Sequence, residues 1–187
     1  MAEQHETLGL PEGAISEWHP SRVTLLTWTI LTLPIFVVAF FGYMQPVPWK
    51  LGETITLSIT LLLALCLGLV CVHEALHGTA VVAFGARPKF GLLKMGGIPI
   101  GFFTTAPGHR FSRRQYLIVA LAPIAILTPL GVPACLLPFG TYMAVGFALV
   151  LAGSIGDVTI AWRVLRAPTG VVFEDLRDGI RCWRAGA

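Results

Sequence analysis

Residues 73–77 carry the pattern His-Glu-x-x-His within an apolar run over residues 54–84. On a helix, positions i and i+4 lie on one face, so the imidazoles of His73 and His77 can bind one metal ion. Glu74 lies beside a ligand and can act as a general base on a water molecule at the ion. Ionisable groups are costly in an apolar helix, which favours a functional role. The pattern therefore predicts a zinc site with Glu74 as its catalytic residue.

A zinc ion in a catalytic site usually takes three protein ligands and keeps a fourth position open. Between residues 54 and 173, Glu74 and Asp157 are the only acidic residues, so Asp157 is the natural third ligand. An ion pair with Arg163 or with a basic loop residue is the alternative role for Asp157. We interpret His5 and His19 as surface residues and keep His109 as a lesser candidate for the site.

Three other interpretations of the motif stay open. The polar side chains could form hydrogen bonds between helices. The two histidines could bind haem, although this leaves Glu74 without a role. The cluster could also be the transient site of a divalent-metal transporter, although such proteins usually carry internal repeats and this sequence shows none.

The composition predicts an integral membrane protein. The chain has 187 residues, of which 55% are hydrophobic and 12% charged, and its mean hydropathy is +0.76. Soluble domains usually have about 25% charged residues. The net charge of +3 does not suggest a nucleic-acid partner. The four cysteines show no paired spacing, so they suggest neither a disulfide framework nor a cysteine-type zinc site.

Four apolar stretches are long enough to cross a bilayer, for which about 20 residues suffice. They cover residues 22–44, 53–84, 115–137 and 142–162. The third stretch contains Pro123, Pro129 and Pro133. Each proline leaves a helix carbonyl without its donor, so neighbouring helices must satisfy the freed carbonyls.

The loop over residues 85–114 is basic, apolar and rich in glycine. Gly96-Gly97 between two short apolar runs predicts a β-hairpin over residues 88–105, and Pro99 assigns the second run to an edge strand. Such an edge could receive an extended substrate by β-strand addition. The candidate substrate-binding residues are Ile98, Ile100 and Phe102. A purely structural hairpin is the alternative.

The C-terminal segment has apolar residues at helical spacing with arginines among them, which predicts a helix on the membrane surface. The apolar positions are Val172, Phe173, Leu176, Ile180 and Trp183. The predicted fold class is therefore an all-α membrane protein with about four transmembrane helices, a short re-entrant or interfacial β-hairpin and a C-terminal surface helix. The predicted parts are an N-terminal cytoplasmic tail over residues 1–21, a membrane metalloprotease-like core over 22–162 and a cytoplasmic amphipathic tail over 163–187. Trp49, in the loop after the first span, is expected at interface height.

The distribution of basic residues predicts the orientation. Of the 13 lysines and arginines, all except Lys50 lie in the N-terminal tail, the 85–114 loop or the C-terminal tail, with Arg22 and Arg163 at the adjoining span ends. These segments share one side if there are four spans, and the positive-inside rule places that side in the cytoplasm. Both termini are therefore expected there, and residues 1–17 lack the basic start of a signal peptide.

Several segments together resemble the "putative zincin peptidase" family, a group of small, mostly bacterial membrane proteins. The resemblance covers about residues 61–166 and rests on the segments His73-Glu74-Ala75-Leu76-His77-Gly78, Phe84-Gly85-Ala86-Arg87-Pro88-Lys89-Phe90-Gly91, Ala122-Pro123 and Gly156-Asp157. The family is distantly similar to the site-two intramembrane zinc proteases. Those enzymes carry an asparagine between the motif and the aspartate and an Asp-Gly pair in the last helix, whereas this chain contains no asparagine and has Gly156-Asp157.

The resemblance implies that His73, His77 and Asp157 bind Zn²⁺ and that Glu74 is catalytic. It also implies a bacterial cytoplasmic membrane as the location. The expected function is that of a zinc metalloendopeptidase of the HExxH type. Its partners would be the lipid bilayer and a membrane protein or peptide as substrate. A non-catalytic zinc-binding membrane scaffold or regulator is the alternative.

Overall fold

Helices make up most of the fold, and two small antiparallel sheets accompany them. The computed structural model describes residues 10–48, 58–95, 98–177 and 179–185. In chain order the elements are β1 (Ala14–Trp18), α1 (Arg22–Met44), α2 (Ile59–Ala83), β2 (Lys89–Met95), β3 (Ile98–Thr105), β4 (Arg110–Phe111), α3 (Arg113–Ala134), α4 (Gly140–Gly153), α5 (Ile155–Arg166), β5 (Val171–Leu176) and β6 (Gly179–Arg184).

Four helical segments are long and apolar enough to cross a membrane, judged by length and composition within the described residues. They are α1, α2, α3 and the combined segment Gly140–Arg166, which joins α4 and α5. This confirms the four apolar helices predicted from the sequence. The predicted start of the second span and Trp49 of the loop before it lie outside the described residues.

Serine residues define where three of these helices begin. The hydroxyl of Ser21 accepts a hydrogen bond from the backbone N–H of Thr24, which caps α1. At α3, Ser112 and Gln115 form a reciprocal capping box, in which each side chain accepts from the other residue's backbone N–H. Ser58 caps α2 in the same way as Ser21. These caps satisfy backbone donors that a helix leaves unpaired at its N-terminus.

The last apolar segment is interrupted three residues before Asp157. Helix α4 ends at Gly153 and α5 begins at Ile155. The hydroxyl of the intervening Ser154 is buried and donates to the Val150 carbonyl across 2.9 Å. Because such side-chain bonds compete with backbone pairing, they often accompany a bend. The interruption places Asp157 in the first turn of α5.

The hairpin predicted over residues 88–105 is confirmed as the antiparallel pair of β2 and β3, with a bulge between Leu93 and Lys94. Its predicted turn, Gly96-Gly97, lies outside the described residues. The second sheet has the order β1-β6-β5-β4 and joins the two ends of the chain. Residues of both sheets, among them Phe102 of β3 and Asp175 of β5, line one cavity, so the sheets lie at the same end of the helices.

The predicted C-terminal surface helix is wrong, because this segment forms the antiparallel hairpin of β5 and β6. Leu176 pairs with Gly179, so two residues connect the strands. A side chain at position 179 would collide with the Trp18 carbonyl of β1, so glycine permits this close approach. Within the predicted N-terminal tail, residues Ala14–Trp18 form β1. The predicted all-α class is corrected to a mostly helical fold with small antiparallel sheets.

Two hydrophobic clusters hold the elements together. One includes Val81 of α2, Tyr116 of α3, Val164 of α5 and Phe173 of β5, so it joins the helices to the four-stranded sheet. The other includes Tyr43, Leu127 and Phe147 and joins α1, α3 and α4, away from the first cluster. The candidate site lies on the side of the first cluster.

Candidate metal centre

His73 and His77 lie on one face of α2 and are both buried. They are one helical turn apart, and their Nε2 atoms are 3.2 Å from each other. The two ring planes are nearly perpendicular, at 81°. Each ring therefore directs its Nε2 atom to a common point beside the helix.

Asp157 brings a carboxylate to that point from α5. Its Oδ2 atom is 3.3 Å from His73 Nε2, and its Oδ1 atom is 3.5 Å from His77 Nε2. One ligand atom from each residue can be chosen so that all three lie within 4.8 Å of one another. Arg163, the alternative partner of Asp157, has its guanidinium 4.1 Å above the ring of Trp18.

The spacing of these atoms fits a zinc ion. Tetrahedral zinc with bonds of about 2.0–2.1 Å separates its ligand atoms by about 3.3–3.4 Å. The two Nε2 atoms are 3.2 Å apart, and each lies 3.3–3.5 Å from the nearer oxygen of Asp157, Oδ2 for His73 and Oδ1 for His77. Among the described residues, Asp157 Oδ2 and His73 Nδ1 are buried without a hydrogen-bond partner. A cation would satisfy the carboxylate oxygen, because buried polar atoms otherwise cost free energy.

A backbone carbonyl of α3 orients His77. The Nδ1 atom of His77 lies 2.8 Å from the carbonyl oxygen of Val119. A carbonyl can only accept, so Nδ1 carries the proton, and a neutral ring then presents its lone pair at Nε2. Hydrogen bonds of this kind fix the tautomer of metal-binding histidines.

Glu74 follows His73 and is half-buried. The hydroxyl of Thr104 on β3 reaches it, with Oγ1 lying 2.8 Å from Glu74 Oε2 and 3.0 Å from the Glu74 backbone oxygen. This hydrogen bond engages Oε2 of the carboxylate, and Glu74 also lines the adjacent cavity. The structure thus places the predicted base beside the predicted ligands.

A cavity of about 240 Å³ opens onto this cluster. Glu74, His77 and Asp157 contribute to its wall. Most of the remaining wall is apolar or aromatic and comes from β1, α1, β3, α3 and the β5–β6 end. Its aromatic members are Trp18, Trp28, Phe102, Phe103 and Tyr116. The cavity therefore offers an apolar site next to the three potential ligands and the potential base.

The three predicted substrate-binding residues all belong to β3. Phe102 lines the cavity. The backbone of Ile98 and Ile100 is part of the strand, whereas their side chains lie outside the described residues. His109 is not part of the cluster and packs its ring against Phe111, with 4.4 Å between ring centroids.

Sequence reasoning missed a second polar group on the cavity wall. Tyr116 of α3 donates to Asp175 of β5, with 2.8 Å between the phenol oxygen and Oδ1. Burial raises the pKa of Asp175 to about 6, although hydrogen bonds from Tyr116 and Thr105 oppose the rise. Asp175 was missed because the sequence predicted a surface helix for this segment, and such a helix gave no reason to place Asp175 beside α3. Thr104 and Val119 were missed because a backbone or hydroxyl contact across the fold leaves no pattern in the sequence.

A chain with four apolar helices and a His-His-Asp cluster, whose histidines are buried and whose aspartate is half-buried, beside a glutamate belongs in the class of helical proteins with a candidate mononuclear metal site. The family model described as "Putative zincin peptidase" matches residues 66–172, which is more than half of the chain. The chain therefore belongs to this family, as its sequence motifs predicted, and zinc peptidase chemistry is the family's expected activity. No curated protein and no solved structure matches the chain significantly.

Proposed function

We propose that this protein is a zinc-dependent peptidase that hydrolyses peptide bonds within or beside a membrane. The observation that carries the proposal is the convergence of His73, His77 and Asp157, whose ligand atoms lie within 4.8 Å of one another, with Glu74 next to them. Membership of the zincin peptidase family supports the same chemistry.

His73, His77 and Asp157 would hold the ion. Bound there, zinc would act as a Lewis acid and lower the pKa of a water molecule to about 7, which supplies hydroxide near neutral pH. Glu74 would take one proton from the attacking water as its oxygen bonds to the peptide carbonyl carbon. When the carbon–nitrogen bond breaks, Glu74 would return that proton to the departing amine.

The hairpin is the proposed substrate platform. Among the described residues, β3 pairs only with β2, so its other edge could pair with an extended peptide. Phe102 already contributes to the cavity wall, and Phe103 and Thr104 follow it there. We propose Ile98, Ile100 and Phe102 as substrate contacts along this strand.

The proposed location is a membrane with the site near its cytoplasmic face. Large apolar side chains are exposed along α1, for example Val23, Leu33 and Val38, which are each at least 67% exposed. Such an apolar surface suits lipid rather than water. The basic segments lie on the side of the sheets, and the positive-inside rule assigns this side to the cytoplasm.

Replacement of Glu74 tests the mechanism. The full-length protein in detergent or in proteoliposomes would be loaded with zinc and incubated with peptides that contain a transmembrane segment, and products would be identified by mass spectrometry. Glu74→Gln should keep one zinc ion and lose cleavage by about 100-fold or more, as expected when general acid–base catalysis is removed. The matched control Glu12→Gln changes an exposed residue and should cleave like the wild type.

Two results would contradict the proposal. Full activity of Glu74→Gln would exclude the role of this carboxylate. A wild-type protein that binds zinc but cleaves none of the membrane peptides would favour the non-catalytic zinc scaffold.

A further inference from the structure

Pro123 removes an internal hydrogen bond from α3 at the level of the His-His-Asp cluster. In an α-helix the N–H of residue i donates to the carbonyl of residue i−4. Proline has no N–H, and its ring crowds that carbonyl. Val119 lies four positions before Pro123, so its carbonyl lacks the usual donor. Pro123 is fully buried, an environment in which an unpaired carbonyl is costly.

His77 supplies the missing donor across the interface of α2 and α3. Its Nδ1 lies 2.8 Å from the Val119 oxygen, while its Nε2 lies 3.5 Å from Asp157 Oδ1. In a neutral imidazole, a proton on Nδ1 leaves the lone pair on Nε2, so one tautomer serves both contacts. The carbonyl that Pro123 frees is therefore the group that prepares His77 for a metal ion.

We propose that Pro123 is a positioning residue of the metal centre. By leaving the Val119 carbonyl without an intrahelical donor, it reserves this acceptor for His77, fixes the Nδ1–H tautomer and directs Nε2 to the cluster. The inference rests on the proposed zinc site and gives the proline of the Ala122-Pro123 pair a specific task. Pro123 acts through Val119 and His77.

Helix α3 provides its own matched controls. It contains Pro129 and Pro133, which are both exposed. Replacement of either restores a backbone N–H in the same helix. Those donors would face the carbonyls of residues 125 and 129, away from the Val119 carbonyl that His77 uses.

Zinc affinity is the first measurement, made by competition with a chelating dye on the full-length protein in detergent. Pro123→Ala and the bulkier Pro123→Val should both weaken zinc binding about tenfold, the range found when a group that orients a ligand is removed. Pro129→Ala and Pro133→Ala should stay within about twofold of the wild type. A purely structural role predicts instead that Pro123→Val, which refills the space, binds zinc normally.

The tautomer of His77 is the second measurement and needs neither metal nor activity. In nitrogen-15 NMR spectra of the metal-free protein, assigned with His77→Gln, the wild type should show His77 protonated at Nδ1. Pro123→Ala and Pro123→Val should gain the Nε2–H form, whereas Pro129→Ala should not.

Unchanged tautomer populations, or unchanged zinc affinity in both Pro123 variants, would overturn the inference. If the wild type bound no zinc at all, the proposed function would fail. The NMR comparison would still decide whether Pro123 controls the His77 tautomer.

Discussion

The hydroxyl of Thr104 donates a hydrogen bond to the carboxylate of Glu74, with 2.8 Å between Oγ1 and Oε2. Thr104 is paired with Phe90 across the hairpin, and opposed side chains in an antiparallel pair point to the same face. The ring of Phe90 fills the space above Gly78, where an added Cβ would lie 2.6 Å from its Cζ. The cross-strand pair Phe90 and Thr104 therefore contacts the i, i+4 pair Gly78 and Glu74 of α2. These contacts fix the proposed substrate platform to the proposed base.

This contact predicts that loss of the Thr104 hydroxyl lowers kcat. Thr104→Val keeps the shape of the side chain but frees the Glu74 carboxylate, so kcat should fall about tenfold, a fraction of the full effect of a general base. KM should change little, because the hydroxyl bonds to the base. Thr104→Ser should restore most of the activity in steady-state cleavage assays.

The neighbouring Thr105 is the matched control for that experiment. Its hydroxyl donates to the Asp175 backbone oxygen across 2.9 Å and so joins β3 to β5. Thr105→Val should therefore keep the wild-type kcat. An equal loss of activity in Thr104→Val and Thr105→Val would mean that the hydroxyls merely stabilise the strand.

Metal analysis tests the ligand set. The purified wild type should contain one zinc ion for each chain, and His77→Ala or Asp157→Ala should weaken binding by more than about 100-fold, since loss of a ligand should exceed the loss of an orienting group. Saturating zinc should also raise the unfolding temperature of the wild type, because a ligand that binds only the folded state stabilises it. His109→Ala removes a histidine outside the cluster and should match the wild type. Zinc retained in Asp157→Ala would require another third ligand.

The membrane-like features of the fold could be predicted because each has a local signal in the sequence. The apolar helices follow from long hydrophobic stretches, the β2–β3 hairpin from Gly96-Gly97 between apolar runs, and His73 and His77 from their i, i+4 spacing. Asp157 followed from the scarcity of acidic residues between 54 and 173. These inferences need no knowledge of which distant segments meet.

The four-stranded sheet could not be predicted because its strands depend on partners far along the chain. Residues 172–183 fit a helical period as well as a strand, and pairing of β6 with β1 near the N-terminus decides between them. Glu174 shows the same dependence. Its side chain is buried inside the sheet. The Gly108 N–H and the Trp183 indole compensate for this burial by donating to its carboxylate, at 2.8 and 2.9 Å.

Gly131 of α3 is expected to be intolerant of a side chain. An added Cβ would lie 2.5 Å from Tyr43 Cε1 and 2.9 Å from Phe147 Cγ, two rings of the buried cluster. Gly131→Ala should lower the free energy of unfolding by about 1–3 kcal/mol, as overpacking usually does. Gly68→Ala in α2 meets no atom within 4 Å and should be neutral or stabilising by up to about 1 kcal/mol. Equal effects in chemical unfolding of the two variants would show that the rings around Gly131 move aside.

Asp175 predicts a pH dependence of stability with a defined sign. Its carboxyl has a pKa of about 6 in the folded protein against 3.8 as the ordinary value, chiefly because of burial. Between these values the folded state binds more protons than the unfolded state, so this group's contribution to stability falls as the pH rises. The stability of Asp175→Asn relative to the wild type should therefore increase between about pH 4 and pH 6, by on the order of 1–3 kcal/mol. A constant difference in unfolding free energy across this range would contradict a raised pKa.

The basic residues predict the orientation of the proposed membrane protein, with the sheets and the site on the cytoplasmic side. Gln45 follows α1 and Arg114 lies at the start of α3, and both are exposed. In a background with the four native cysteines replaced by alanine, Gln45→Cys should react with a membrane-impermeant maleimide added to intact bacterial spheroplasts. Arg114→Cys should react only after permeabilisation, because the positive-inside rule places its loop in the cytoplasm. The reverse pattern would put the sheets outside the cell, and equal labelling of both positions from outside would contradict an odd number of crossings between them.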